Sequence, residues 1–331
     1  MRFFDAAAVA AALPFETLVP ALRAGFAEGC SVPPRMVLET PAGDEAAAGA
    51  PPLTSLVMPA WQAGRYYALK CVNVAPGNAA RGLPGLHASV LLHDAVSGVP
   101  LAWMEGSELT SRRTAAGSAL AAGWLARADA RRLLVVGAGR VAALLPAAYR
   151  AVRPIERVTV WARRAGAAEA LAAHWRGEGF DAVGTTDLAA AGFAAGALSV
   201  RAGAGAAADI VSCATLATEP VVRGAWLRAG SHLDLIGSFT PAMREADDQA
   251  FAGAAIVVDT DEALAKSGEL IGPMARSVFS RADVRGTLAA LARGQVQGRR
   301  RDDERTVFKS VGTALEDLVA AVQVWERAAA A

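Results

Sequence analysis

The stretch Arg132-Leu133-Leu134-Val135-Val136-Gly137-Ala138-Gly139-Arg140-Val141-Ala142 decides the fold. A short apolar run ends in glycine, and the segment 141–152 that follows reads as a helix stopped near Pro154. A strand that turns through G-x-G-x-x-A into a helix is the head of a dinucleotide-binding βαβ unit. Gly137 permits the tight turn, Gly139 lets backbone amides approach a pyrophosphate, and Ala142 leaves room for the helix to close on the strand. The helix N-terminus then offers unpaired N–H groups and a favourable dipole, with Arg140 and Val141 first beside the phosphates. Context carries this reading, because the bare pattern arises by chance in a chain rich in Ala and Gly.

Downstream, strand-like and helix-like segments alternate. Arg157–Trp161 is a second β-branched run and 167–176 a second helix; further strands are expected at 209–213, 232–236 and 255–259. Such alternation predicts an α/β fold with a Rossmann-type parallel sheet and crossover helices on both faces. Segment 189–207 is Gly/Ala-rich and reads as a loose connection with one strand near 198–201. Upstream, 55–59, Tyr66–Val74, 87–94 and Pro100–Glu105 read as separate strands, divided by turn material at Gly64, Pro76-Gly77-Asn78 and Ser97-Gly98. Residues 41–52 read as a polar surface loop. A helix over 110–126 leads into the nucleotide-binding part, and a charged run spans 299–305. The amphipathic helix 313–329 turns Leu315, Leu318, Val319, Val322 and Val324 inward.

The end of the second strand bears on cofactor choice. NAD sites usually place a carboxylate there for the ribose hydroxyls. Here the residues are Val160-Trp161-Ala162-Arg163-Arg164, with no acid. Two guanidiniums suit a 2′-phosphate, so NADP(H) is favoured, with NAD(H) left open. Thr215, past the strand at 209–213, stands at the carboxyl edge where Rossmann ligands bind and is expected near the nicotinamide ribose.

The 331 residues suffice for two domains and carry a formal charge of +1, with no basic block and no acidic tail. That excludes a nucleic-acid footprint. The hydrophobic share of 53% reflects alanine, and a charge interrupts every apolar run before the roughly 18 residues that a spanning helix needs. The start Met1-Arg2-Phe3-Phe4-Asp5, with Pro14 and Glu16 close behind, is a poor signal peptide. Cys30, Cys71 and Cys213 form no C-x-x-C pair, and His87, His93, His174 and His232 lack metal-ligand spacing. No metal site or disulfide framework is expected, and the compartment expected is cytoplasmic. Only Lys70, Lys266 and Lys309 are lysines among 33 basic residues, so each surviving amine draws notice.

Several segments, in order, resemble the ornithine cyclodeaminase/μ-crystallin family across nearly the whole chain. They are Lys70-Cys71-Val72-Asn73, Leu109-Thr110-Ser111-Arg112-Arg113-Thr114-Ala115-Ala116, the glycine loop, Gly230-Ser231-His232 through Ile236-Gly237, Arg244-Glu245-Ala246-Asp247 and Phe308-Lys309-Ser310-Val311-Gly312. The resemblance implies a discontinuous architecture: residues 1–115 with 300–331 form a substrate-binding and dimerisation domain, and 116–299 form the Rossmann domain. It also implies a homodimer. Ornithine cyclodeaminases carry an Asp after the glycines that follow the fifth Rossmann strand, whereas this chain has Ile236-Gly237-Ser238-Phe239-Thr240-Pro241. A hydroxyl cannot replace that carboxylate as acid/base. The departure looks more like the branch that reduces cyclic imino acids, with NAD(P)H taking Δ1-pyrroline-2-carboxylate to L-proline, or Δ1-piperideine-2-carboxylate to L-pipecolate.

Reducing such a ketimine needs a carboxylate anchor, a proton on nitrogen and a hydride on the adjacent carbon. The family match assigns the anchor to Arg35 and Arg113, whose guanidinium forks meet a carboxylate bidentately. It gives Lys70 a substrate-binding role, in which a lowered pKa suits it to relay a proton. His87, on the next strand, is a second candidate proton donor. Thr114 is expected on a cofactor phosphate, and Ser238 is counted with the cofactor residues. Lys309 is expected to orient the return loop near the nicotinamide, Lys266 to be solvated, His232 to be structural, and Asp234 and Asp259 to cap helices. Cys71, next to Lys70 on a strand, should face the opposite way. Two enzymatic rivals are ornithine cyclodeaminase and an alanine-type amino-acid dehydrogenase; a third is a non-catalytic, NADP-binding crystallin-like protein, in which Lys70 or Arg113 should be replaced.

Overall fold

The computed structural model describes residues 1–40, 52–191 and 207–330. The loop expected at 41–52, apart from Pro52, and the strand expected near 198–201 lie outside the described residues. The chain divides into two compact units, Met1–Arg113 with Thr313–Ala331, and Thr114–Gly312.

The first unit is a six-stranded sheet built from β1 (Arg2–Phe4), β2 (Met36–Thr40), β3 (Leu53–Gln62), β4 (Tyr66–Val74), β5 (Leu86–Asp94) and β6 (Pro100–Glu105). The order is β1-β6-β5-β4-β3-β2, with β1 parallel to β6 and the other pairs antiparallel. Side chains alternate between faces. One face presents Met58, Ala60, Ala68, Val72, Val90, Leu92, Ala102 and Met104, all buried, and the C-terminal helix Ala314–Ala330 lies against β3, β4, β5 and β6. Helix Phe15–Glu28 meets that helix so closely that a Cβ on Gly25 would stand 2.4 Å from Val319 Cγ2. The opposite sheet face is far more open: Trp103 is 46% exposed and Phe3 67%, with their rings edge to face.

The second unit is an eight-stranded, all-parallel sheet: β7 (Arg132–Val136), β8 (Arg157–Trp161), β9 (Asp181–Thr185), β10 (Ile210–Cys213), β11 (His232–Leu235), β12 (Ala255–Val258), β13 (Val284–Thr287) and β14 (Thr306–Lys309). Its order is β13-β12-β14-β11-β10-β7-β8-β9. Every residue of β10, β11, β12 and β14 is buried, as a sheet covered on both faces requires. From β7 the chain moves outward through β8 and β9, then returns to lay β10 on β7's other side. The crevice at such a reversal is where nucleotides bind in doubly wound folds.

Two expectations need correction. The return into the first unit falls between Gly312 and Thr313, later than the expected 299/300 boundary, because Thr306–Lys309 is a strand wedged between β11 and β12. Its Thr and Lys hide it from a search for apolar runs. The long helix spans Gly106–Leu125 and starts before residue 110, because Glu105 accepts the amides of Ser107 and Glu108 at 3.0 and 2.7 Å. A glutamate is an unusual cap, and the usual Ser/Thr/Asp/Asn signal is missing. Strands β1, β2, β9 and β13 and helices Ala6–Ala12 and Phe15–Glu28 also lie outside the sequence expectations.

Candidate active site

In the first unit, Lys70 enters from the middle of β4. Its cross-strand neighbours are Met58 and Val90, with Met104 next along the same row, all buried. An ammonium in an apolar row requires a counter-charge. The first turn of the C-terminal helix supplies it: Nζ lies 2.6 Å from Asp317 Oδ2. Arg113 Nε donates to Asp317 Oδ1 at 2.9 Å, and Arg113 Nη1 donates to Glu316 Oε2 at 2.6 Å. None of the four residues is more than 6% exposed. Two cations and two anions therefore balance in a dry site, with the acids placed where a helix N-terminus favours them.

Burial is the largest influence on Lys70 and brings its pKa down from 10.5 to about 8; Asp317 pulls upward against it and Arg113 pushes further down. Burial likewise acts to raise Asp317, but Lys70 and Arg113 outweigh it and hold the carboxyl below its ordinary range. For Arg113, burial works against the charge and the two carboxylates prevail.

The other substrate candidates separate. Arg35 is half-buried immediately before β2. Cys71 faces away from Lys70 and lies 3.8 Å from Asn73 Oδ1. His87 is a correction: it pairs with Asn73, three positions from Lys70, so alternation turns it to the opposite sheet face, where it is exposed. Strand parity separates it from Lys70. Thr114 is half-buried and follows Arg113 along helix Gly106–Leu125.

In the second unit, the glycine loop has the geometry that a pyrophosphate needs. Gly137 sits at φ +119°, where a Cβ would come 2.6 Å from the carbonyl oxygen of Ala214, and its N–H donates to Trp161 O at 2.9 Å. Gly139 is the N-cap of helix Arg140–Arg150, makes no side-chain cap, and has open space where a Cβ would stand. The first amides of that helix are thus left for a ligand. Arg140 is exposed and Val141 half-buried. Arg163 and Arg164 follow β8, both exposed, and their guanidiniums have no hydrogen-bond or carboxylate partner among the described residues. The loop fits a dinucleotide.

Buried polar residues behind the carboxyl edge correct other expectations. Ser238 is fully buried; its hydroxyl donates to Met243 O at 2.6 Å and lies 2.9 Å from Ser267 Oγ, so it faces inward and not toward a cofactor. Lys309 does not reach the return loop: its buried Nζ donates to Leu235 O at 2.8 Å and ties β14 to β11. Asp234 caps no helix, but accepts hydroxyls of Ser118, Tyr149 and Ser212 at 3.1, 2.8 and 2.5 Å. Asp259 accepts the amides of Thr260, Val311 and Gly312, each at 2.7 Å. His232 is structural, with Nδ1 2.9 Å from Thr306 Oγ1, and burial drives its pKa down to about 3. Lys266 pairs with Glu262 at the surface. Among the described residues no group of three His, Cys, Asp or Glu could hold a metal ion.

Comparison with known proteins places these features. The sequence profile of the ornithine cyclodeaminase/mu-crystallin family matches residues 53–331. The chain belongs to that family. A Delta(1)-pyrroline-2-carboxylate reductase of Paracoccus denitrificans is 45% identical over 275 residues, covering 82% of this chain and 83% of the relative. The Thermococcus litoralis Delta(1)-pyrroline-2-carboxylate reductase, solved with NADH and L-proline, superposes with a TM-score of 0.87 at 30% identity, covering 100% and 98% of the two chains. An archaeal alanine dehydrogenase dimer with bound NAD gives 0.85 at 28% identity, covering 100% and 96%.

For this member of the ornithine cyclodeaminase/mu-crystallin family, four site residues escaped the sequence reading. Glu316 and Asp317 were visible only as adjacent acids opening an amphipathic helix. Glu245 stood within the quoted segment Arg244-Glu245-Ala246-Asp247 with no role given to it, and Glu269 gave no signal.

Proposed function

We propose that the protein is an NAD(P)H-dependent reductase of a cyclic imino acid, converting Δ1-pyrroline-2-carboxylate to L-proline. The observation that carries this reading is the dry, charge-balanced set Lys70, Asp317, Arg113 and Glu316. A protonated cyclic ketimine is itself an iminium carboxylate, and a site with equal numbers of buried cations and anions suits a zwitterion better than a simple anion. Reduced nicotinamide, when bound, supplies the hydride for the imine carbon. Arg113, held by two carboxylates, is rigid and offers its remaining N–H groups to the substrate carboxylate. Lys70 keeps its proton at neutral pH and holds it beside Asp317, poised for the ring nitrogen.

One assay panel tests the reading. NADH and NADPH should be oxidised with five- or six-membered cyclic ketimines in the absence of ammonia. Turnover only with pyruvate plus ammonia would move the protein to the alanine-dehydrogenase class, and ammonia released from ornithine would make it a cyclodeaminase.

The protonated amine is the competent form, so kcat/KM should be flat at neutral pH and fall about ten-fold per pH unit above about 8. Asp317 raises the Lys70 pKa, so Asp317→Asn should move that limb to lower pH. A limb that stays in place in the variant would remove Lys70 as its source.

Preference for NADPH rests on Arg163 and Arg164, exposed and unmatched by carboxylates. Arg163→Asp should lower the NADPH-to-NADH ratio of kcat/KM by about 10- to 100-fold; an unchanged ratio sinks the assignment. A homodimer through the open face of the six-stranded sheet would cover Phe3 and Trp103. A monomeric mass at sedimentation equilibrium would remove it.

A further inference from the structure

Glu245 ties together two loops at the carboxyl edge of the parallel sheet. Its Oε1 accepts both the amide and the hydroxyl of Thr215, at 2.7 and 2.8 Å, and its Oε2 accepts the amide of Gly237 at 2.7 Å. Thr215 follows β10 and Gly237 follows β11, so one carboxylate spans two neighbouring loops. Its backbone adds to the same junction: the carbonyl accepts Val221 and Val222, each at 2.9 Å, and the amide donates to Glu269 Oε2 at 2.7 Å. Glu269 Oε1 also accepts Ala246 N at 2.9 Å, so a second buried acid holds the first in place.

The arrangement leaves no slack. A Cβ on Gly237 would fall 1.8 Å from Thr215 O and 2.6 Å from Glu245 Oε1. A Cβ on Gly137 would meet Ala214 O at 2.6 Å and the Thr215 methyl at 3.3 Å. With amide and hydroxyl both fixed on Glu245, Thr215 can turn its methyl only toward the glycine loop. The carboxylate is fully buried, and against that burial its charge is favoured first by the buried Lys309 ammonium and then by the directed N–H and O–H groups of Thr215 and Gly237. A neutral residue would serve packing at lower cost; an ionised one is warranted where two loops must be held in a fixed shape.

We propose that Glu245 is a positioning residue for the dinucleotide, locking the loops after β10 and β11 against the glycine loop so that the cofactor meets a preformed edge. This rests on the reading that the second unit binds NAD(P)H. Glu245→Gln keeps the shape but puts an NH2 where one loop presents its own donor. Fluorescence titration with NADH and with NADPH should show binding weakened about 10-fold or more. KM for the cyclic imine at saturating cofactor should stay within about two-fold, a split that general loosening of the fold does not produce. Thr215→Val deletes only the hydroxyl arm of the clamp and is expected to weaken the same titration about three-fold; it carries the test if the Gln variant does not fold. Cofactor binding unchanged in the folded Gln variant, or in Thr215→Val when only that variant folds, overturns the proposal. A wild-type protein that binds neither nucleotide overturns the cofactor reading along with it. Failure to reduce cyclic imines, with nucleotide binding intact, overturns only the substrate assignment.

Discussion

Lys70→Met is expected to lower kcat/KM for the cyclic imine by about 1,000-fold while leaving the protein folded. Methionine matches the length of the lysine stem and joins Met58, Val90 and Met104 in one buried cross-strand row. The cost of burying an ammonium disappears with it, and Asp317 keeps its 2.9 Å bond from Arg113 Nε. Asp317 and Glu316 are nonetheless left facing a single cation, so stability should still fall by about 3–5 kcal/mol. Activity should not survive, because the same substitution removes the proton held near neutral pH and one of the two charges that face an anionic group. Steady-state rates and urea denaturation on the same preparation separate the two effects. A rate within ten-fold of wild type would falsify the role given to Lys70.

Arg113→Met should cost activity as well, and should weigh on the fold at least as heavily. The guanidinium serves two acids at once, Nε to Asp317 and Nη1 to Glu316, and neither acid is more than 2% exposed. Removing it leaves two carboxylates facing one ammonium, and breaking a buried pair of this kind costs about 3–5 kcal/mol. Adding Glu316→Gln should recover part of that loss, because it removes the surplus negative charge. A single variant that loses less than about 1 kcal/mol would show that the cluster does not depend on Arg113.

Strand parity accounts for much of what was legible beforehand. Arg157–Trp161, Tyr66–Val74 and Pro100–Glu105 begin and end as their residue patterns dictate, because apolar, aromatic or β-branched runs bounded by turn residues leave few alternatives. The glycine loop was legible for the same reason: strand, glycines and helix are contiguous. The partners of Lys70 were not. Asp317 lies 247 positions further on in a helix whose apolar stripe masked its acids, and no local rule pairs residues so far apart. Parity also misleads when it is not counted, as with His87, whose neighbourhood in sequence suggested a site that the pleat points away from. Ser238 had the position of a functional acid but a hydroxyl that the fold turns inward.

The late strand β14 has a consequence for biogenesis. The parallel sheet has its center gap, between β11 and β12, filled only by Thr306–Lys309, and the first sheet is covered by Ala314–Ala330 immediately afterwards. During vectorial synthesis, more than 300 residues emerge with β11 and β12 unpaired along facing edges. Both units are completed by the neighbouring segments Thr306–Lys309 and Ala314–Ala330, nearly together. A chain released before residue 306 would leave two open halves in place of one finished unit and one unfinished. Such a product exposes strand edges, the template for aggregation, and depends on rapid removal by quality control.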